Sequence, residues 1–184
     1  MTSLGLVETR TIAGGIDLTD VMVKRAQVKL LRAHTICSGR FMILVGGDRA
    51  SVGEAIAVAR ETEVKLHAWH LLSQVCEPVL SALTRRELSS FGPSDAMAVI
   101  ECKNVVTGIS AADAAVKTSG TRLVKIVLGQ GINGKSYFIL GGELASVEAG
   151  VTAAEDVLGT SLIDRAIIPS PDQAVLSAVI TGGR

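Results

Sequence analysis

The sequence has no excess of either positive or negative charge. Its 184 residues carry 18 Lys and Arg against 18 Asp and Glu, so the formal net charge is zero. An interface for nucleic acid needs clustered Lys and Arg, and the isolated pair Arg85 and Arg86 is too short to provide one. We therefore expect no nucleic-acid partner.

Long apolar runs, leader segments and cysteines are equally scarce. No window approaches about 18 uninterrupted apolar residues, so no membrane span is expected. The first ten residues, MTSLGLVETR, show no charged leader followed by an apolar stretch, which argues against a signal peptide. The three cysteines stand at unrelated spacings, which fits a reduced cytosol. The sequence thus predicts a cytoplasmic chain.

Aromatic residues make up only 3 % of the chain, yet apolar residues make up 48 %. Most of the apolar residues are Ala, Val, Ile and Leu, so the chain can bury a core and disorder is not expected. A small domain has much surface for its core, and two small domains with this composition leave apolar surface uncovered. We therefore expect homo-oligomerisation.

The chain repeats itself. The stretch from Gly5 to Glu8 aligns with the stretch from Ala98 to Glu101, a shift of 93 residues. After a two-residue insertion the shift becomes 95. It then aligns Gly46-Gly47-Asp48 with Gly141-Gly142-Glu143. A linker rich in turn formers occupies 89–95. We predict two domains, at 3–88 and 96–182.

Each half predicts the same order of elements, β-α-β-β-α-β with a closing helix, which is a ferredoxin-like arrangement. The first half predicts a strand at 4–10, a helix at 17–27, hairpin strands at 28–36 and 40–46, a helix at 50–61, a strand at 64–72 and a helix at 76–88. Asp17 or Thr19 is the expected cap of the first helix. The second half predicts a strand from 97, a helix from 110, hairpin strands at 121–128 and 136–141, a helix from 145 and a strand from 161. The predicted fold class is α/β (α+β), a tandem duplication of one domain.

These residues carry a family likeness. Four motifs resemble the bacterial microcompartment shell domain: Gly5-Leu-Val-Glu-Thr, Asp20-x-x-x-Lys24, a Ser38-Gly39 turn, and Gly46-Gly47-Asp48 opening a helix. The likeness covers both halves in unpermuted order. It implies a tandem-type shell protein, of which three chains form a pseudo-hexameric tile with a central opening. By this resemblance the chain is a structural protein and not an enzyme, located in a compartment shell with other shell proteins as partners.

The resemblance also implies roles for particular residues. The tile edge would be formed by two lysines, each with an aspartate one helical turn before it: Asp20, Lys24, Asp113 and Lys117. From the residues alone, such i,i+4 pairs are also typical of a solvated helix face, but their duplicated placement favours the edge. The central opening, where small metabolites are thought to cross, would be lined by Ser38, Gly39, Gly131, Ile132, Asn133 and Gly134.

Cys37 stands in the first-half turn, where the second half has Ile132. The segment Thr35-Ile-Cys-Ser-Gly resembles the turn of an iron–sulfur-carrying shell protein of propanediol-utilisation compartments, although Ser38 replaces the proline expected there. Three thiolates meeting on a three-fold axis could hold a [4Fe–4S] cluster. Such a cluster would serve electron transfer or redox sensing, with enclosed redox enzymes as further partners. The alternative is a cysteine that is merely a small turn residue.

Other motifs predict less. The stretch 129–136 fits the Walker A pattern, but it is followed by a β-type run rather than the helix that holds phosphates, so we reject nucleotide binding. Cys76 and Cys102 are predicted to be small core residues, and His67 and His70 to lie on opposite faces of a strand. The duplicated glutamates Glu8 and Glu101 are interpreted as structural. The alternative function is a trimeric small-molecule-binding or signalling protein built from ferredoxin-like repeats.

Overall fold

The computed structural model describes residues 3–85 and 87–181, which form two units with the same order of elements. The first unit consists of β1 (Ser3–Thr9), α1 (Ile12–Arg25), β2 (Lys29–Ile36), β3 (Arg40–Gly47), α2 (Arg49–Glu61), β4 (Leu66–Ser73) and α3 (Glu77–Thr84). The second consists of β5 (Ala96–Cys102), α4 (Val105–Ser119), β6 (Arg122–Leu128), β7 (Ser136–Gly142), α5 (Leu144–Leu158), a short 3₁₀ turn (Gly159–Ser161), β8 (Leu162–Ile168) and α6 (Gln173–Thr181). The predicted fold class is confirmed.

Each unit has one four-stranded antiparallel sheet. The strand orders are β2-β3-β1-β4 and β6-β7-β5-β8, so the first strand of each unit lies inside its sheet. Every residue of β1 is buried, because helices cover both faces of the sheet. The ends of the two hairpins, β2–β3 and β6–β7, therefore project from equivalent corners of the two units.

One apolar core runs across both units. Leu6 and Leu44, paired across β1 and β3, belong to the same buried cluster as Ile109 of α4 and Leu83 of α3. The opposite face of the first sheet packs on α1 and α2 in a separate cluster. Burying this much aliphatic surface drives folding, at about 25 cal/mol per Å². The shared cluster joins the two units firmly.

The first helix of each unit begins about five residues earlier than the sequence predicts. Helix α1 begins at Ile12 instead of 17, and its N-cap is Thr11, not Asp17 or Thr19. Helix α4 begins at Val105 instead of 110, with an Asn104 cap. Because glycine has a low helix propensity, the glycines near these positions made the true helix starts difficult to predict from the sequence. Gly15 is required because a Cβ there would lie 2.5 Å from the Cβ of Phe41.

The closing helix of the first unit also differs from its prediction. It ends at Thr84 rather than 88. Residue 86 and residues 182–184 lie outside the described part of the chain, and so does the predicted domain end at 182. Among the helices of residues 3–85 and 87–181, none combines the length and the apolar character needed to cross a bilayer.

Candidate functional site

The two hairpin turns have the same backbone geometry. Ser38 and Gly39 have φ angles of 67° and 70°, and the repeat-equivalent Asn133 and Gly134 have 54° and 72°. Two successive residues with positive φ are typical of tight hairpin turns, and Asn and Gly adopt this geometry most readily. The sequence places the same strained pair at the same corner of each unit.

The structure brings these turns together. Ser38 Oγ donates a hydrogen bond of 2.5 Å to Asn133 Oδ1, so two residues related by the repeat contact each other. The Cys37 amide donates to the Gly129 carbonyl over 3.1 Å, which joins the two loops through the backbone as well. The residues predicted to line one opening therefore lie side by side within a single chain.

The Cys37 thiol faces the backbone of the second loop. Its Sγ accepts a hydrogen bond of 3.1 Å from the Gly131 amide, and the thiol is partly exposed. The Gly131 N–H lowers the pKa of Cys37 most, and the neighbouring amides of Gly134, Ile132 and Asn133 act in the same direction. Because N–H dipoles stabilise a thiolate, this is the environment of a reactive or ligating cysteine.

The other two thiols are unsuited to such chemistry. Burial raises the pKa of Cys102 to about 12, as expected for the predicted core position. Burial also raises the pKa of Cys76 to about 11, and Cys76, at the start of α3, is partly buried and packs against the edge of the shared core cluster. Within residues 3–85 and 87–181 of one chain, no three His, Cys, Asp or Glu side chains form a metal-binding group.

Glu8 has the structural role that the sequence indicates, and its contacts show what that role is. Its side chain is fully buried behind the turns, and it makes an ion pair of 2.9 Å with Arg40. Its other oxygen accepts hydrogen bonds from the amides of Val105 (2.5 Å) and Val106 (2.9 Å) at the start of α4. Burial raises the pKa of Glu8, and the Val106 amide and Arg40 oppose that rise. Glu8 therefore fastens the first unit to the second.

A signal for this contact was available in the sequence. The shift of 93 pairs Glu8 with Glu101, and the shift of 95 pairs Arg40 with Lys135. A glutamate and a cation duplicated together indicate an ion pair present in both halves. The structure contains the second pair as well, with Lys135 Nζ 2.8 Å from Glu101 Oε1.

Positive charge collects beside the first turn. An open depression of about 400 Å³ is lined by Arg10, Ser38, Arg40, His67 and Lys103. Burial lowers the pKa of His67, and the nearby Arg40 and Arg10 lower it further. The depression therefore presents its positive charge through arginine and lysine, while this histidine favours its neutral form.

The Walker-like segment is a loop followed by a strand. Ser136 begins β7, so no helix N-terminus is present to hold a phosphate. Gly129, Gly131 and Gly134 all have positive φ, and Lys135 is engaged by Glu101. The structure agrees with the rejection of nucleotide binding.

The two predicted edge pairs are both formed but differ in burial. Lys24 Nζ lies 2.7 Å from Asp20 on an exposed part of α1. Lys117 pairs with Asp113, which is buried and also accepts a hydrogen bond of 2.8 Å from the Cys76 amide. The second pair is thus tied to the segment between β4 and α3. The role of all four residues at a tile edge remains a prediction.

The fold and the joined turns define a class: a tandem pair of ferredoxin-like domains that present their hairpin ends at one site. A family model described as BMC domain matches residues 3–75 and again residues 96–171. The chain belongs to the bacterial microcompartment shell protein family, with two BMC domains in tandem. Members of this family are structural proteins of the shell.

Individual relatives agree with this assignment. The chain is 33 % identical over 183 residues to the bacterial microcompartment shell protein PduT of Citrobacter freundii, covering 98 % of both chains. A microcompartments protein from Desulfitobacterium hafniense DCB has a similar structure, with a TM-score of 0.83 and 37 % identity over 95 % of this chain and 98 % of that one. The fused permuted shell protein MSM0275 shares the fold alone, with a TM-score of 0.60 and 20 % identity over 85 % and 81 % of the two chains.

Proposed function

We propose that three copies of this chain form a pseudo-hexameric shell tile whose central opening is lined by the two hairpin turns. The hydrogen bond between Ser38 and Asn133 carries this proposal, because it makes repeat-equivalent residues direct neighbours. Contact between repeat-equivalent residues is expected where equivalent domains are arranged around a common rotation axis. Two domains occupy two of six positions, so three chains complete a closed ring. The tile would lie in the shell of a cytoplasmic compartment and contact other shell proteins there.

The residues at the first turn fit a [4Fe–4S] cluster shared by three chains. Cys37 supplies one partly exposed thiol whose pKa is lowered by backbone amides, which favours the ligating thiolate. Amide hydrogen bonds to sulfur, such as that from Gly131, also tune cluster potentials. Each chain would contribute Cys37, so three chains would supply three of the four ligands. A cluster bound there would supply one-electron transfer or redox sensing.

The loops would keep this thiol in place. Cys37 is fixed by its own amide on the Gly129 carbonyl and by its sulfur on the Gly131 amide. Both partners belong to the longer loop of the second unit. The neighbouring unit therefore orients the ligand, while enclosed redox enzymes would be the partners that exchange electrons with it.

The tile is tested by electron microscopy of concentrated protein. We expect sheets or tubes built from hexagonal units, because flat tiles with complementary edges extend in two dimensions. Sedimentation should give a trimer in dilute solution. Discrete particles whose stability depends on an added small molecule would instead support the signalling protein.

The cluster is tested on anaerobically purified protein. We expect brown protein with iron and acid-labile sulfide, at about one cluster per three chains. Cys37→Ser should abolish the colour, while Cys76→Ser, the matched control, should retain it. Wild-type protein that stays colourless after reconstitution with iron and sulfide would contradict the proposal, and so would a coloured Cys37→Ser variant.

A further inference from the structure

The contact that Glu8 makes between the two units has an incomplete counterpart at the repeat-equivalent residue Glu101. In full, the Glu8 carboxylate is buried against the first amides of α4 and against Arg40. In part, Glu101 holds Lys135 in the same way, but no helix start among residues 3–85 and 87–181 of the same chain receives its carboxylate. The exposed fraction of the side chain is 0 % for Glu8 and 38 % for Glu101. The second carboxylate therefore lacks the partner that buries the first.

The repeat identifies the missing partner. The shift that relates Glu8 to Glu101 also relates Val105 to Ile12, so the helix equivalent to α4 is α1. The N-cap of α1 is Thr11, whose side chain caps nothing in the described residues, and the first turn of the helix has no acidic residue. The start of α1 thus has free amides and a positive dipole end, the features that bind a carboxylate.

The apolar face of α1 is uncovered in the same way. Ile109 of α4 is fully buried beneath the first unit, whereas its repeat equivalent on α1, Ile16, is 57 % exposed. Val105 is fully buried while its equivalent, Ile12, is exposed. Ile12 and Ile16 lie on the same helix face, next to a third exposed apolar side chain, Val23. In the part of the chain that the structure describes, this face of α1 is therefore left uncovered, whereas the first unit covers the equivalent face of α4.

We propose that Glu101 of one chain inserts into the start of α1 of a second copy, where it accepts hydrogen bonds from the amides of Ile12 and Ala13. Lys135 takes the place that Arg40 has in the internal contact. The second unit of one chain then covers Ile16 of the next. This inference rests on the proposed ring and names the contact that closes it. The two surfaces differ, so the contact is head-to-tail and forms a ring rather than a two-fold dimer.

Sedimentation velocity across a dilution series tests the contact. Glu101→Ala should raise the concentration at which half of the trimer dissociates at least tenfold, because each ring loses three buried charged contacts. Ile16→Asp should do the same from the other side of the contact. Glu148→Ala, an exposed glutamate on α5 outside the contact, is the control and should match the wild type. Circular dichroism should show every variant folded, since Glu101 is partly exposed within one chain.

The outcomes separate this inference from the proposed function. A wild-type trimer that Glu101→Ala and Ile16→Asp leave as stable as before would overturn the contact while the tile stands. A wild-type chain that is monomeric at every concentration would overturn both. Weakening by Glu101→Ala and Ile16→Asp, but not by Glu148→Ala, supports the contact.

Discussion

Glu8→Ala is expected to lower the free energy of unfolding by about 3–5 kcal/mol, the typical cost of removing one partner of a buried ion pair. The change leaves the Arg40 guanidinium nearly buried without its counter-charge. It also leaves the amides of Val105 and Val106 without their acceptor. Urea denaturation at one fixed protein concentration measures the loss, because assembly makes stability depend on concentration.

Two companion variants sharpen this measurement. Asp20→Ala breaks an exposed ion pair and should cost at most about 1 kcal/mol. Glu8→Gln keeps an oxygen for the α4 amides but loses the charge, so its cost should fall between the other two. If Glu8→Ala lies within about 1 kcal/mol of the wild type, the buried carboxylate does not hold the two units together.

Gly134→Ala is expected to be far more costly than Gly131→Ala, although both glycines have positive φ, 72° and 75°. A Cβ at 131 meets nothing within 4 Å, so only the left-handed backbone is penalised, by about 1–2 kcal/mol. A Cβ at 134 would lie 1.7 Å from Arg40 Nη2. Displacing that guanidinium should add about 1–3 kcal/mol.

The comparison is made by urea denaturation of both variants, followed by a double-mutant cycle with Glu8→Ala. Once Glu8 is gone, Arg40 is no longer held in place, so the extra penalty of Gly134→Ala should shrink. Equal costs for the two glycine variants would show that Arg40 moves freely, and that the second loop does not depend on the buried ion pair.

The order of elements could be predicted because the two halves support each other. A strand or helix suggested weakly at one place is suggested again 93 or 95 residues later, and the structure contains both copies. The helix starts could not be predicted, because Gly14 and Gly15 disfavour helix locally. Position 15 must be glycine because Phe41, from a strand distant in sequence, packs against it, and such a tertiary contact cannot be seen in the local sequence.

The two hairpin turns could be predicted, but the contacts between them could not. Turn formers predicted the hairpin turn at Ser38 and Gly39, and the resemblance to the shell domain pointed to the matching pair Asn133 and Gly134; the structure has positive φ at all four. The Ser38–Asn133 hydrogen bond depends on how the two units dock, to which the shared apolar cluster and the Glu8 contact across 97 residues of sequence both contribute. No local sequence pattern can predict a contact between residues so far apart in the chain. Only the duplication of an acidic residue together with a basic residue indicates this contact.

The difference between Cys37 and Ile132 has a consequence for what a duplicated gene can build. Six identical subunits around an axis carry any side chain six times or not at all. A fused pair whose halves have diverged can present it three times, so that in the proposed ring three Cys37 thiols would alternate with three Ile132 side chains. A tile with a hexagonal outline can then carry three copies of a side chain at its axis instead of six, while the outline stays the same.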